Sequence, residues 1–231
     1  MKYIIAILML VFLAGCITPP EEPILNDTNQ SDIQPDIIPP EDDGKIPLRI
    51  RELIEKARQP ESFEYDYYTS DQGFVGRFYI INKDAKVVFP ELKIRASGEN
   101  FDEVYFDRSW DKAWSYCSKD HCNDPKDFTA ECVDFPEYYE DYPRQWLLDI
   151  KSADILGEEM IGKYNTLVIN FTGRHDYSGK MWLQSYYGIP LQIEYSDIDR
   201  INRTIEFRNM TWNTVPSIRV RMPFNVSKVC D

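Results

Sequence analysis

At 231 residues, 43% of them hydrophobic, the chain holds enough apolar material for one sizeable core and little room for two. A net charge of −13, with no clustering of Lys and Arg into a face, excludes a nucleic-acid surface. Fifteen Tyr, twelve Phe and five Trp favour strands over a helical bundle.

The address comes first. Lys2 is followed by an apolar run from Tyr3 to Ala14. As a helix it would cover roughly 20 Å, short of the roughly 30 Å hydrocarbon core, so it reads as a secretory h-region and not as a span. Leu13-Ala14-Gly15-Cys16 matches the lipobox of prokaryotic lipoproteins, in which small residues fit the peptidase and the Cys thiol receives lipid. The reading is a signal peptide over 1–15 and a lipid anchor on Cys16, on the extracytoplasmic side of the cell membrane. Residues 17–45 carry six Pro, eight Asp or Glu, one Lys and no aromatic residue. That composition cannot bury enough surface to offset its ordering entropy. Residues 16–45 are therefore a tether, and 46–231 the folded domain.

Pro47 stands where a first helical turn would begin, and Ile50, Leu53, Ile54 and Ala57 follow at helical spacing up to Arg58, before Pro60. Strand signals then succeed one another. Phe63, Tyr65 and Tyr67 alternate. Gly76–Asn82 and Ala85–Phe89 pair about the turn Asn82-Lys83-Asp84, and Leu92–Ala96, Val104–Phe106 and Ala113–Tyr116 follow. This spacing predicts an antiparallel meander, and the lack of a Gly-rich phosphate loop excludes nucleotide folds. Residues 117–142 read as an irregular excursion. Pro143 then starts a second short helix with Trp146, Leu147 and Ile150 on one side. Two strands span 153–162 and 163–171. A hairpin runs from Gly179 to Tyr195, broken by Gly188 and Pro190, and the alternation returns from Asn202 to Trp212.

The wording of that hairpin, Trp182-Leu183-Gln184 through Gly188-Ile189-Pro190-Leu191-Gln192-Ile193, resembles the outer-membrane lipoprotein carrier superfamily, the LolA/LolB/LppX-like proteins. Gln184 stands where an Asp is common there. The strand from Gly157 to Gly162 ahead of the hairpin and the ending Val215–Pro223 resemble the same family, with Val215–Pro223 as its closing loop and last strand. The likeness covers roughly residues 46–226 and is strongest over 153–223. It implies an α+β fold: a strongly curved antiparallel sheet, or half-open β-barrel, with short helices across the concave face. It also implies an acyl-chain ligand in the space between. The alternation assigns the lining of that space to Ile50, Leu53, Ile54, Trp146, Leu147, Ile150, Met181, Leu183, Leu191, Ile193, Ile205 and Phe207. The function expected is binding of a lipid, or of the acyl chain of a lipoprotein, in transfer or sensing. The alternative is a surface interaction module with a filled barrel, binding protein through the acidic, Tyr-rich Asp134–Tyr142.

Four further cysteines, Cys117, Cys122, Cys132 and Cys230, make an even number outside the membrane and point to two disulfides. Cys117–Cys122 and Cys132–Cys230 is the preferred pairing among three. The rival is zinc on Cys117, His121, Cys122 and Cys132, but that spacing is loose for a knuckle and strands Cys230. Only His121 and His175 exist, no nucleophile elbow is present, and an acidic surface accounts for the carboxylates. No enzyme activity, cofactor or metal is expected.

Overall fold

Pro47 sets the start of α1 (Leu48–Ala57), its carbonyl accepting from the amides of Ile50 and Arg51 at 2.9 and 3.1 Å. The helix stops at Arg58 because Pro60 follows. Its buried stripe is Ile50, Leu53 and Ala57, three of the four residues whose spacing announces the helix. The structure is a computed structural model. It describes residues 45–118, 130–196 and 200–223 and the backbone of Lys228 and Val229, without the side chain of His175. The signal segment 1–15, Cys16, the tether to residue 44, His121, Cys122 and Cys230 lie outside the described residues.

Six strands follow α1: β1 (Ser62–Thr69), β2 (Gly73–Ile81), β3 (Asp84–Ile94), β4 (Asn100–Asp107), β5 (Lys112–Tyr116) and β6 (Ala130–Val133). Asn82, at φ 50°, takes the left-handed conformation in the tight β2–β3 turn, where Ile81 pairs with Asp84. The two strand signals on either side of Pro90 merge into the single β3. Proline donates no ladder bond, and the β3–β4 register shifts between Val88 and Lys93, across it. Two short helices, α2 (Phe135–Tyr138) and α3 (Pro143–Leu148), lead to β7 (Ser152–Ile161), β8 (Tyr164–Thr172), β9 (Ser178–Gln184), β10 (Pro190–Ser196) and β11 (Asn202–Trp212). A two-residue β12 (Lys228–Val229) comes last.

All the strands form one sheet in the order β12-β6-β5-β4-β3-β2-β1-β11-β10-β9-β8-β7. It is two meanders laid edge to edge, β1 to β6 and β7 to β11, joined where β1 pairs antiparallel with β11. Among the described residues, only the β12–β6 pair is parallel. The sheet does not close on itself, and short helices cover one face, so the expected half-open architecture is the one observed.

One contiguous core lies on the covered face and draws on α1, α3 and strands of both meanders. The opposite face is not uniformly wet. A second, small core of Tyr79, Val215 and Val220 sits there, with Arg219 5.8 Å over the Tyr79 ring. Of the closing loop and last strand expected over Val215–Pro223, the described residues show the loop and no strand. The segment folds as a loop with a 3₁₀ turn at Ser217–Arg219, because its apolar residues find Tyr79 before they find a ladder.

Candidate functional site

Helices of four and six residues have no independent stability, so contacts must hold α2 and α3 in place. Aromatic rings supply them. Phe135 and Tyr139 stack on each other at 4.6 Å and meet Phe106 of β4 at 5.6 and 5.8 Å. Tyr138 packs edge-on against Phe89 and Phe101 at 6.1 and 5.7 Å. Arg144 of α3 lies 5.4 Å over Phe63 and donates to the Pro60 carbonyl at 3.1 Å. Residues 134–150 and α1 thus form a cover across the sheet. The Asp134–Tyr142 stretch, considered in the sequence as a docking surface, turns its aromatic side chains inward onto the core. The physical reason is plain: the rings bury more apolar area against β3 and β4 than in water.

Beneath the cover, Tyr65 stacks on Phe78 at 5.5 Å and meets Phe207 edge-on at 5.3 Å, while Tyr67 meets Phe78 at 5.6 Å. The alternation Phe63-Tyr65-Tyr67 marks β1 as core, and the cluster follows from it, but nothing in the sequence shows which rings meet. Of the residues expected to line a ligand space, Ile50, Leu53, Leu147, Ile150, Met181, Leu183, Leu191, Ile193, Ile205 and Phe207 are all buried in the contiguous core. Ile54 and Trp146 are partly buried against it. The structure brings the twelve together, and it brings them together packed on one another.

Two polar features interrupt this apolar interior. The Tyr65 hydroxyl is buried with no hydrogen-bond partner among the described residues, and its electrostatic neighbours are Tyr67, Tyr139, Arg108 and Glu140. Burial raises its pKa far beyond the ordinary phenol range. The Tyr67 hydroxyl donates to Glu140 Oε2 at 3.4 Å, and burial pushes the Glu140 carboxyl up despite that bond. Burial also pushes Tyr139, on the same segment, up to about 12.

At the end of the cover, a cavity of about 140 Å³ opens between α3 and the β8–β9 turn. Trp146, Gln145 and Asp149 line one side, and Phe171, Arg174 and Tyr177 the other. Trp146 stacks on Tyr177 at 5.9 Å and meets Tyr195 at 4.9 Å, and Arg174 is ion-paired with Asp149 at 2.9 Å. The volume is below the roughly 300 Å³ at which small-molecule sites begin.

Cys117 is fully buried after β5 and Cys132 lies on β6 opposite Trp114. Because Cys122 and Cys230 lie outside the described residues, the pairing does too, as do two of the four rival zinc ligands.

No protein-family model matches the chain, and no curated protein sequence matches it. Among solved structures the chain is similar to a conserved protein from Thermus thermophilus, with 10% identity over 79% of this chain and 97% of that one, at a TM-score of 0.48. It is similar to LprF from Mycobacterium bovis, with 11% identity over 74% and 93% and a TM-score of 0.47. It is also similar to the lipoprotein LppX from Mycobacterium tuberculosis, with 12% identity over 74% and 96% and a TM-score of 0.45. These are distant likenesses. The strand order and the helical cover, taken on their own, give the chain the half-open antiparallel barrel that its hairpin anticipates.

Proposed function

We propose that this is a non-enzymatic, lipid-anchored domain on the extracytoplasmic side of the cell membrane. It takes up a hydrophobic chain, of a lipid or of a lipidated protein, between the sheet and its helical cover. The packed core is the closed state of that site. Cover residues 134–150 hold on through rings and not through long helices, so they are the part that moves. The Trp146 cavity is the place where a chain enters.

The observation that carries this reading is the Tyr65 hydroxyl. A buried core ring at this position needs no oxygen, and burying a phenol O–H without a partner costs on the order of 1–3 kcal/mol. Phe would fill the same space without that penalty. A hydroxyl aimed beneath a movable cover is accounted for by a ligand oxygen, the carbonyl of an ester or the carboxyl of a fatty acid, that accepts from it. Each CH₂ taken from water contributes about 0.8 kcal/mol, so a chain of about twelve carbons supplies enough to displace the cover and retain affinity.

The test is Tyr65→Phe in the full chain carrying Cys16→Ser, with an environment-sensitive fatty-acid probe. Binding should weaken about fivefold, the loss of one hydrogen bond, while stability stays level or rises because an orphaned donor has gone. Equal probe affinity in the two proteins would remove the support that Tyr65 gives. Absence of probe binding in both would favour the second reading, an interaction module with a filled barrel, which rests on the twelve packed residues.

A further inference from the structure

The two edges of the sheet are treated differently. At one end the chain's own β12 adds to β6, with Lys228 beside Ala130 and Val229 beside Glu131. At the other end β7 is the last strand, paired with β8 alone among the described residues. The Ala153 amide donates outward to the Lys45 carbonyl at 3.0 Å, and the chain then turns away into α1. By the two-residue alternation of a ladder, the N–H and C=O of Ile155 point to the same open side. This edge is also where large apolar side chains gather in the open: Ile155 is 40% exposed, Leu156 54% and Met160 60%. Arg49 of α1 reaches Glu158 of the same strand.

An edge of this kind invites strand addition. A register shift between Ile155 and Gly157 and the exposed acids guard it against indiscriminate pairing: Asp154, Glu158, which Arg49 partly neutralises, and Glu159, whose Oε2 accepts from Trp182 Nε1 at 2.9 Å. The same acids select what can pair. A second copy would bring its own Asp154, Glu158 and Glu159 against these, and like charges across a ladder destabilise it. The tether, with eight acids and one Lys over residues 17–45, is disfavoured on the same ground.

We infer that the β7 edge docks an extended segment of another protein, one whose residues alternate between apolar and Lys or Arg. The apolar members cover Leu156 and Met160, the basic members meet the acids, and the segment's backbone continues the ladder beyond β7. This site is separate from the ligand space and stands whether or not the domain binds lipid.

The test uses the full chain carrying Cys16→Ser and a fluorescein-labelled heptapeptide, Lys-Val-Lys-Val-Lys-Val-Lys, with Glu-Val-Glu-Val-Glu-Val-Glu as control. The basic peptide should bind, lose affinity with added salt, and slow amide exchange between Ile155 and Ile161. Leu156→Lys and Met160→Lys should each weaken binding by about tenfold without lowering the melting temperature. Three results would overturn the inference: equal binding of the two peptides, protection confined to another part of the domain, or protection of β7 that grows with protein concentration in the absence of peptide. The last would assign the edge to a second copy.

Discussion

Gly188 offers a direct measure of how tightly α1 is clamped onto the sheet. It sits in the β9–β10 connection at φ +73°, with its amide donating to the Gln184 carbonyl at 2.7 Å. A Cβ there would run into the backbone of Leu53, meeting the carbonyl oxygen, with the carbonyl carbon at 2.8 Å and Leu53 Cβ at 2.9 Å. Gly73, at φ +70°, has nothing within 4 Å of the same built atom. The two positions carry the same left-handed strain and differ only in what they touch. Gly73→Ala should therefore cost about 1 kcal/mol, the conformational penalty alone. Gly188→Ala adds a displacement of α1, whose buried Ile50 and Leu53 are each worth about 1.5–3 kcal/mol when fully sequestered. Losing half of that brings the total to about 3 kcal/mol. Urea unfolding of the two variants should differ by about 2 kcal/mol, or by roughly 4–8 °C in melting temperature for a domain of this size. Equal losses would refute the idea that α1 rests on Gly188. If the cover is also the gate to a ligand space, Gly188→Ala should speed entry of the fatty-acid probe, and Gly73→Ala should leave it unchanged.

Asp66 yields a pH dependence. Burial alone would raise its pKa, but hydrogen bonds from Arg77 at 2.6 and 3.1 Å and from Asn209 at 2.7 Å hold it below the ordinary carboxylate value. A carboxyl lowered in the folded state contributes stability above its unfolded pKa of about 3.9 and gives it up as pH falls through the folded value. Asp66→Asn should cost about 2 kcal/mol at pH 7, and the acid limb of the stability profile below about pH 4 should flatten in the variant; an unchanged limb would remove Asp66 from the account. Non-reducing peptide mapping should find Cys117–Cys122 and Cys132–Cys230, and either alternative connectivity would replace that pairing. Cys16→Ser should move the mature protein out of the membrane fraction or stall its processing. Membrane retention with no mass difference from the wild type would count against the anchor.

The strands were legible because their side chains report on a single variable, burial on one face. Phe63-Tyr65-Tyr67 and Met181-Leu183 alternate, and both sets enter the core. The α1 stripe was legible for the same reason at helical period. Legibility failed where a residue's partner is far away in sequence. Phe135, Tyr138 and Tyr139 resemble an exposed acidic, Tyr-rich segment until Phe89, Phe101 and Phe106 are set beneath them. Val215–Pro223 is expected only by likeness as a closing loop and last strand, and nothing in it announces that Val215 and Val220 pack with Tyr79. The candidate ligand residues illustrate the same limit from another side. Alternation tells which side chains leave water and is silent on whether they meet a ligand or one another. Tyr65 shows what a sequence cannot carry: its ring belongs to the pattern, and only the packing reveals that its hydroxyl has no partner among the described residues.

The seam between the two meanders has a consequence for how the chain is made. β1, the first strand, finds its second neighbour only in β11, with Phe63 opposite Trp212 some 150 residues later. A chain made N-terminus first presents β1 to β6 with one flank of β1 still bare. That flank presents the unpaired backbone N–H and C=O groups of β1, and it stays bare until nearly the whole polypeptide has emerged. Maturation therefore waits on the far end of the chain. Truncations that remove β11 should leave a half-sheet prone to aggregation, with β1 as its longest-lived open edge.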